Sequence, residues 1–385
     1  MRQATLTVLL GTLAFAPVHW LLVPAPYRRS VIVIASLVGL SVIDVRAVAL
    51  VAGMAAALVA AARLQAVDGW RRAVTGAGVV ALVAAFVANK GLADSVAGGS
   101  IAIVGCSYLV LKAIAALVES ERVERRAGFG ATLEWLAFLP TYPAGPMADF
   151  DRFQGRDPAP TRARVLGGLE RILFGLVKAF VFAAQLGAWA DPVIGEPAAH
   201  GRAMLVVALY AQAFRFYLDF AGYSDMAIGL GQVLGYDIEE NFDRPFMRRN
   251  LIALWQHWHM TLTRWLRDFV FMPVTRRMLR ATGSVDASQL VGQCSSMLVC
   301  GLWHGIAWHW VAWGLVQAAG LVWVGSIARH LGSFVPAAIV AWWRTSAVAH
   351  VASVALTVTY FALSMAFVVA SVPDALACLR RIVVG

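Results

Sequence analysis

Charged residues are scarce in this chain of 385 residues. They make up 14% of the sequence, whereas hydrophobic residues make up 60% and the mean hydropathy is +0.71. Soluble globular chains carry about 25% charged and about 45–50% apolar residues. The composition therefore excludes an ordinary soluble protein and predicts an all-α polytopic integral membrane protein that folds as a single bundle.

Cysteine is also rare, and no C-x-x-C pair occurs in the sequence. The four cysteines lie in or beside apolar runs, at Cys106, Cys294, Cys300 and Cys378. This pattern predicts small buried core residues, with neither a disulfide framework nor a zinc site. We expect no bound metal and no resident cofactor.

The net charge of +10 arises from 32 basic against 22 acidic residues. The basic residues are spread among apolar spans, which argues against nucleic-acid binding and fits the excess of Lys and Arg in cytoplasmic loops of membrane proteins. The strongest basic block runs from Arg244 to Arg280 and contains eight arginines and no lysine. We expect this block on the cytoplasmic side.

Apolar runs long enough to cross a bilayer, about 20 residues each, recur along the chain. Together with shorter pieces at 132–139, 226–236 and 334–343, they predict about nine to eleven membrane elements. We interpret the first run as a retained span, because Pro17 follows the small residues that could mark a signal-peptide cleavage site. The predicted spans are 5–23, 31–62 (broken near Asp44 and Arg46), 73–89, 100–118, 165–191, 203–221, 291–325 (one or two elements) and 347–372.

The sequence predicts one membrane-embedded domain, 1–385, with three regions of different predicted roles. Residues 1–130 are predicted to be packing helices, 131–325 to hold the catalytic motifs, and 326–385 to form C-terminal helices. The first informative loop is 139–147, where three prolines and a glycine exclude a continuous helix. It predicts either a re-entrant segment covered by protein or an ordinary interfacial loop. Residues 149–164 follow as a charged surface stretch.

The predicted helix 203–221 carries Arg215 and Asp219 at i, i+4 spacing. Each charge alone would cost roughly 2.5–3.5 kcal/mol at mid-membrane, so an ion pair between the two is the simplest expectation. Residues 222–225 are expected to break this helix, and Gly229, Gly231 and Gly235 beyond them suit close helix contacts.

A two-sided helix is predicted to follow Asn250, a plausible N-cap. At 100° per residue, His257 and His259 lie 200° apart. His257 falls on the polar face with Arg264, and His259 lies at the edge of an aromatic stripe that points toward the bundle. The stripe consists of Leu251, Trp255, Trp258, Leu262, Trp265 and Phe269.

The most unusual polar residue is His304, which lies within the apolar run 291–325. Gly301 and Gly305 have G-x-x-x-G spacing, which allows another helix to approach closely. A titratable group buried at membrane depth must be satisfied by partners or used for function.

Five motifs between 139 and 314, in this order, together resemble one family. They are the Pro/Gly loop 139–153, the segment Tyr217–Gly229, Asn241-Phe242-Asp243-Arg244-Pro245-Phe246, Trp255 through Phe271, and Gly301 through Gly314. The chain resembles the membrane-bound O-acyltransferase (MBOAT) family, in its bacterial DltB/AlgI-type branch. The resemblance covers somewhat under half of the chain.

The resemblance implies an MBOAT-type helical bundle with interfacial or re-entrant helices and a central funnel or tunnel. A thioester donor, on a phosphopantetheine carrier protein or as acyl-CoA, would approach from the cytoplasm. A hydroxyl acceptor on an exported envelope polymer, or an acyltransferase partner protein, would approach from outside. The location implied is the bacterial cytoplasmic membrane.

The same resemblance implies the site residues. His304 corresponds to the catalytic histidine of the family, and His259, in the W-H-x-[ST]-L motif, to the second functional one. We expect His304 to act as base and His259 to orient the acyl group or donate to the oxyanion. Trp258, Trp303, Asp225, Asn241, Arg267 and Asp268 are assigned to the substrate or tunnel, and Arg248 and Arg249 to docking of the donor, with positive-inside topology as the alternative.

Two departures from the family pattern leave the acyl group open among D-alanyl, acetyl and longer chains. Thr275-Arg276-Arg277-Met278 stands where the alginate-type branch has Gly-Gly-Asn-Arg, and Gln317-Ala318 replaces the usual His-Gly. Direct transfer is favoured over a covalent enzyme intermediate, because no Ser or Cys stands out beside a base; Ser295, Ser296 and Cys300 are the nearest in sequence. A secondary transporter and a non-catalytic scaffold of a polymer-export complex remain the alternative functions.

Overall fold

The computed structural model describes residues 2–67, 69–94, 103–123, 128–155 and 160–384, and these residues form helices and no strands. They group into two compact units, which are described separately below. Unit 1 comprises Met1–Leu176 and Gly222–Glu240, and unit 2 comprises Val177–Ala221 and Asn241–Gly385. Parts of the predicted span 100–118 and of the charged stretch 149–164 lie outside the described residues. The single-domain division stays a prediction.

The helices are numbered in chain order. Two π-helical turns, Val177–Phe182 and Arg267–Phe271, adjoin them. The α-helices are α1 Arg2–Leu22, α2 Arg28–Ile43, α3 Val45–Leu64, α4 Arg71–Asp94, α5 Cys106–Val123, α6 Phe129–Ala137, α7 Phe150–Gln154, α8 Arg162–Leu176, α9 Ala183–Gly195, α10 Arg202–Val233, α11 Leu251–His257, α12 Met260–Leu266, α13 Met272–Thr282, α14 Val285–His304, α15 Trp308–Phe334, α16 Ala337–Thr345, α17 Ala347–Ser364, α18 Ala366–Val369 and α19 Val372–Val384.

Eight helical stretches in the described residues are long and apolar enough to cross a membrane. The predicted break near Asp44 is confirmed, since α2 ends there and the Asp44 carboxylate accepts a hydrogen bond from the Arg46 N–H at 3.0 Å to begin α3. The candidate spans are Thr5–Leu22, Ala25–Ile43, Val45–Leu64, Arg71–Gly91, Arg162–Gly195, Arg202–Val233, Trp308–Leu331 and Ala347–Val369.

In unit 1 the Pro/Gly loop is buried by protein. Helix α6 ends at Ala137, as the prolines predicted, and the residues from Trp135 to Ala144 are all buried. The Tyr223 hydroxyl donates to the Pro140 carbonyl at 3.0 Å, and the Trp135 indole donates to the Ala148 carbonyl at 2.9 Å. These bonds satisfy backbone groups that a helix would otherwise pair.

The predicted helix break at 222–225 is wrong, because α10 continues to Val233. In unit 1 the glycines of this segment bring helices close together instead of ending one. A Cβ on Gly175 would lie 2.5 Å from the Gly222 carbonyl oxygen, and a Cβ on Gly229 would lie 2.5 Å from the Gly168 carbonyl oxygen. Glycine inside a helix is tolerated where packing of this kind offsets its entropic cost.

In unit 2 the expected Arg215–Asp219 ion pair is also corrected. Arg215 donates to Asp191 of α9 and to the Gln212 side-chain oxygen. Spacing along one helix indicated a partner on the same face, but an acidic side chain on a neighbouring helix meets the guanidinium.

The run 291–325 forms two helices, α14 and α15, joined by Gly305-Ile306-Ala307. Their close approach confirms the prediction from the G-x-x-x-G spacing. A Cβ on Gly301 would collide with the Trp310 carbonyl oxygen, and a Cβ on Gly305 would lie 2.6 Å from the Trp310 indole. On α15, a Cβ on Gly314 would lie 2.5 Å from the Met297 carbonyl oxygen of α14. The glycines therefore hold the end of α14 against the start of α15.

Gln317 joins three helices of unit 2 from a fully buried position. Its side-chain oxygen accepts from the Trp255 indole of α11 at 3.1 Å, and its amide nitrogen donates to the Ser364 hydroxyl of α17 at 2.7 Å. A buried amide with both ends paired specifies one arrangement of helices. The departure from the family pattern at this position thus has a structural role.

Candidate active site

The predicted single helix 250–269 is wrong, and the way it breaks creates the site. Asn250 caps α11 as expected, since its side-chain oxygen accepts from the Ala253 N–H at 2.9 Å. The helix ends at His257, a new helix begins at Met260, and a π-helical turn follows Leu266. The polar face that the sequence predicted for His257 and Arg264 therefore does not belong to one continuous helix.

The segment 241–243 explains the break. The Asp243 N–H donates to the His257 carbonyl at 3.0 Å, and the Met260 N–H donates to the Asn241 carbonyl at 2.8 Å. These bonds replace intrahelical ones, so the backbone between them can turn without leaving polar groups unpaired. His259 takes the turn, with a φ of 43° in the left-handed region, where a non-glycine residue is strained.

His259 is buried, with 3% of its surface exposed. Its Nδ1 lies 3.0 Å from the Asn241 side-chain oxygen, which also accepts from the Thr261 hydroxyl at 2.9 Å. The ring meets Phe220 edge-to-face at a centroid distance of 4.6 Å and lies 6.0 Å from the Trp303 ring. The expectation that His259 points inward is met, although through a left-handed turn and not through a helical face.

Burial lowers the pKa of His259 well below its ordinary value of about 6.5, and the neighbouring His304 lowers it further. The imidazole is therefore neutral at pH 7. A neutral imidazole carries one proton and one lone pair on its two nitrogens. The His259 ring can therefore donate one hydrogen bond and accept one.

The lowered pKa predicts a loss of stability in acid. Between the folded pKa and about 6.5 the unfolded chain binds a proton at this residue that the folded chain excludes, so the free energy of unfolding falls as pH drops below about 6.5. The slope from this group is at most about 1.4 kcal/mol per pH unit. Thermal unfolding of the wild type and His259→Gln in detergent between pH 7.5 and 5 measures it. We expect the slope of the variant to be smaller, and equal slopes would contradict the assignment.

His304 is the last residue of α14, and its side chain is exposed. This corrects the expectation of a buried group. The imidazole stacks on Trp310 at a centroid distance of 4.7 Å and an interplanar angle of 17°, and it meets Trp313 edge-on at 5.6 Å. The C-terminal end of α14 therefore places an exposed imidazole against the rings of Trp310 and Trp313.

Trp303 links the two histidines. Its ring centroid lies 4.8 Å from that of His304 and 6.0 Å from that of His259. One indole thus contacts both a buried imidazole and an exposed one. Water has little access to this indole, since Trp303 itself has 9% of its surface exposed.

Trp258 lies in a second aromatic group beside the turn. Its ring contacts Tyr217 at 6.1 Å, Phe242 at 5.4 Å, Phe246 at 5.7 Å and Phe361 at 4.8 Å. The structure thus brings five of the predicted site residues into one neighbourhood of unit 2: His259, His304, Trp258, Trp303 and Asn241. Whether they line a tunnel stays a prediction.

The remaining predicted residues are engaged elsewhere. Asp225, in unit 1, accepts from Arg171 at 2.9–3.0 Å, and Arg171 also binds Glu240. Arg267 and Asp268 pair with each other at 2.8 Å on an exposed π-helical turn. Their assignment to the substrate has no support in these contacts.

The two arginines expected to dock the donor are also occupied. Arg248 donates to the Asp243 carboxylate at 2.6 Å, and Arg249 donates to the carbonyls of Arg344 and Trp343. By contrast, Arg276, Arg277 and Arg280 of α13 are exposed and make no ion pair within the part of the chain described. Docking through Arg248 and Arg249 stays a prediction, but their guanidinium groups already have intramolecular partners.

Sequence reasoning missed several residues that shape the site. Trp310 and Trp313 form the wall beneath His304, while Phe220, Phe242 and Thr261 enclose or fix His259. The dense Trp and His pattern of 303–313 was a visible signal for the first two. Thr261 was present in the W-H-x-[ST]-L motif, but the motif alone does not show what the hydroxyl contacts.

Comparison with known proteins decides the family. A model of the MBOAT, membrane-bound O-acyltransferase family, matches residues 125–368. The chain belongs to this family. Together with the eight apolar helices, the match establishes a multi-pass membrane protein and confirms the all-α polytopic fold class and the resemblance drawn from the motifs.

Several bacterial relatives are similar over part of the chain. A teichoic acid D-alanyltransferase of Streptococcus thermophilus is 32% identical over 230 residues, which cover 57% of this chain and 55% of the relative. A probable alginate O-acetylase AlgI of Azotobacter vinelandii is 31% identical over 220 residues, covering 55% and 42%. A peptidoglycan O-acetyltransferase of Helicobacter pylori is 27% identical over 195 residues, covering 49% and 36%. The chain spans about half the length of the curated relatives it matches.

Proposed function

We propose that this MBOAT protein is an O-acyltransferase that moves an acyl group, D-alanyl or acetyl, from a thioester to a hydroxyl of an exported cell-envelope polymer. The observation that carries the proposal is the pair of histidines that both contact the Trp303 ring, His259 buried and His304 exposed. The names of the relatives support the reaction class, since they are a teichoic acid D-alanyltransferase, a probable alginate O-acetylase and a peptidoglycan O-acetyltransferase. The proposed location is the bacterial cytoplasmic membrane.

The proposed reaction is direct transfer. The acceptor O–H gives its proton to His304, and the oxygen attacks the thioester carbonyl carbon to form a tetrahedral oxyanion. The C–S bond then breaks as the C=O bond re-forms, and the thiolate takes the proton back from the His304 imidazolium. Protein acids and bases move the proton, and no covalent enzyme intermediate is required.

The surroundings of His304 support direct transfer over a covalent intermediate. Cys300 is buried, with 1% of its surface exposed, and the buried Ser296 hydroxyl donates to the Gly292 carbonyl at 2.8 Å. Neither is presented to a substrate as a nucleophile. An exposed histidine whose neighbours Ser296 and Cys300 are both buried fits a base that acts on the acceptor itself.

Mass spectrometry of envelope polymers from a deletion strain tests the function and identifies the acyl group. We expect one ester mass to disappear and to return on complementation, and the mass lost distinguishes D-alanyl from acetyl. Unchanged esters in the deletion strain would overturn the proposal. Polymer flux without thioester consumption would favour a transporter, and full function after replacement of both histidines would favour a scaffold.

The arginines of α13 are the best candidates for contact with an anionic donor, a phosphopantetheine carrier protein or acyl-CoA. At 100° per residue, Arg276, Arg277 and Arg280 fall within an arc of about 100°. Thr275, which lies roughly opposite, packs against Gly292 of α14. The arginine face therefore points away from the helix pair, and its positive charge can attract an acidic carrier or phosphates.

Replacing Arg276, Arg277 and Arg280 together by Gln tests this docking face. We expect KM for the thioester donor to rise about tenfold, with a weaker dependence on salt and little change in kcat, because charge at a rim acts mainly on encounter. The matched control replaces the exposed Arg162, Arg202 and Arg380 by Gln. Equal effects of the two triple variants would attribute the change to net charge and contradict docking at α13.

A further inference from the structure

We propose that Asn241 is a positioning residue that fixes His259 in the tautomer with the proton on Nδ1 and the lone pair on Nε2. The inference rests on the proposed acyl transfer for its catalytic meaning, whereas the tautomer itself is a property of the chain. It assigns Asn241 to the support of His259 and not to direct contact with substrate.

The contacts of the Asn241 side chain identify its oxygen. The atom that faces His259 also receives the Thr261 backbone N–H at 3.3 Å and the Thr261 hydroxyl at 2.9 Å. A backbone N–H can only donate, so the atom opposite it is the amide oxygen and not the amide nitrogen. The orientation of the amide is therefore set by Thr261, independently of the histidine.

The tautomer of His259 follows from that orientation. Its Nδ1 lies 3.0 Å from the same oxygen, which is an acceptor, so Nδ1 carries the hydrogen. Because burial keeps the imidazole neutral, the second nitrogen, Nε2, has no proton of its own. The other tautomer would place two lone pairs against each other inside the protein.

The backbone around Asn241 makes this arrangement rigid. Asn241 is fully buried, and its own carbonyl accepts from the Met260 N–H at 2.8 Å. Asp243, two residues on, bonds the His257 carbonyl. The left-handed turn at His259 is thus held by backbone bonds on both sides, and the Asn241 amide cannot rotate without losing the three hydrogen bonds to its oxygen.

The inference changes the role expected of His259. The resemblance implied that His259 could donate a hydrogen bond to the oxyanion. An imidazole with its only proton on Nδ1 cannot donate from Nε2. In this tautomer Nε2 can only accept a hydrogen bond. A partner that fixes a histidine tautomer in this way acts through the histidine, and losing such a partner costs about 10–100-fold where the histidine binds a metal.

Nitrogen NMR of ¹⁵N-histidine-labelled protein in lipid nanodiscs tests the tautomer directly. The His259 resonances are assigned by their loss in His259→Gln. We expect a protonated Nδ1 and an unprotonated Nε2 in the wild type at pH 7. An unprotonated Nδ1 in the wild type would overturn the inference, whatever the activity of the protein.

Three variants test the role of Asn241. Asn241→Leu removes the acceptor and should release a fraction of His259 into the Nε2–H tautomer, with ester formation lowered about 10–100-fold. Asn241→Asp retains an acceptor oxygen and should keep Nδ1 protonated and restore part of the activity. Thr261→Val removes one donor to the same oxygen but keeps the Thr261 backbone N–H that orients the amide, so it should keep Nδ1 of His259 protonated.

Each outcome bears on one claim. A wild-type spectrum for Asn241→Leu together with wild-type ester formation would overturn the positioning role. If Asn241→Leu does not fold, the wild-type spectrum still tests the tautomer of His259, and the activity of Asn241→Asp still tests the positioning role of Asn241. If the spectra are as expected but the wild-type protein transfers no acyl group, the proposed function fails and the tautomer assignment stands.

Discussion

Replacing His304 by alanine is expected to reduce the ester content of the envelope polymer by about 10²–10⁴-fold in complemented deletion cells. This is the usual contribution of a general base positioned on a reacting proton. His304 is exposed at the end of α14 and stacks on Trp310, so its loss removes a base without opening a cavity in the core. Protein abundance in the membrane, measured by immunoblot, should stay at the wild-type level.

The matched control for this variant is His330→Ala. His330 lies on the same long helix that follows the site, α15, and its exposed ring faces Asp286 at 3.4 Å. We expect ester content close to wild type. Wild-type esters in the His304→Ala strain, with the protein present in normal amount, would exclude His304 as the base.

Gly301→Ala is expected to lower both stability and activity. The new methyl group would collide with the Trp310 carbonyl oxygen, which belongs to the backbone and cannot move by a change of rotamer. Overpacking of this kind costs roughly 1–3 kcal/mol. Because His304 lies three residues further along α14, and Trp310 is the residue displaced, the imidazole and its stacking partner should separate.

The measurements are the thermal unfolding midpoint in detergent and ester formation in the same preparation. The control is Gly167→Ala in α8, where a Cβ meets no atom within 4 Å. That variant should be neutral or stabilised by up to about 1 kcal/mol, as expected when alanine replaces glycine in an open helical position. Equal unfolding midpoints for the two variants would show that α14 and α15 do not meet closely at Gly301.

Local sequence rules recovered the fold class and many helix boundaries. Hydropathy located most spans, the prolines of 139–147 ended α6, and Asp44 and Asn250 capped helices as their side chains predicted. These features depend on neighbouring residues alone, which is why they are readable from sequence. The G-x-x-x-G spacing at Gly301 likewise predicted close contact, because small residues at that spacing leave room on one helix face.

Features that depend on distant residues were not readable. The break at His259 exists because segment 241–243 supplies hydrogen bonds to it, and Arg215 finds Asp191 on another helix. Gly222, which was expected to break a helix, lies inside α10 and packs closely against Gly175 of α8. Helical periodicity therefore gave the correct burial of His259 for an incorrect reason, while the exposure of His304 was missed.

Thioester cleavage by the purified protein in liposomes tests the central claim most directly. The reaction contains an acyl thioester, D-alanyl or acetyl on carrier or coenzyme, and envelope polymer from the deletion strain with its esters removed by mild alkali. We predict that thiol release equals ester formation, requires the polymer, and is lost in His304→Ala. Thiol release and ester formation unchanged by that substitution, or passage of polymer without thiol release, would contradict acyl transfer by His304.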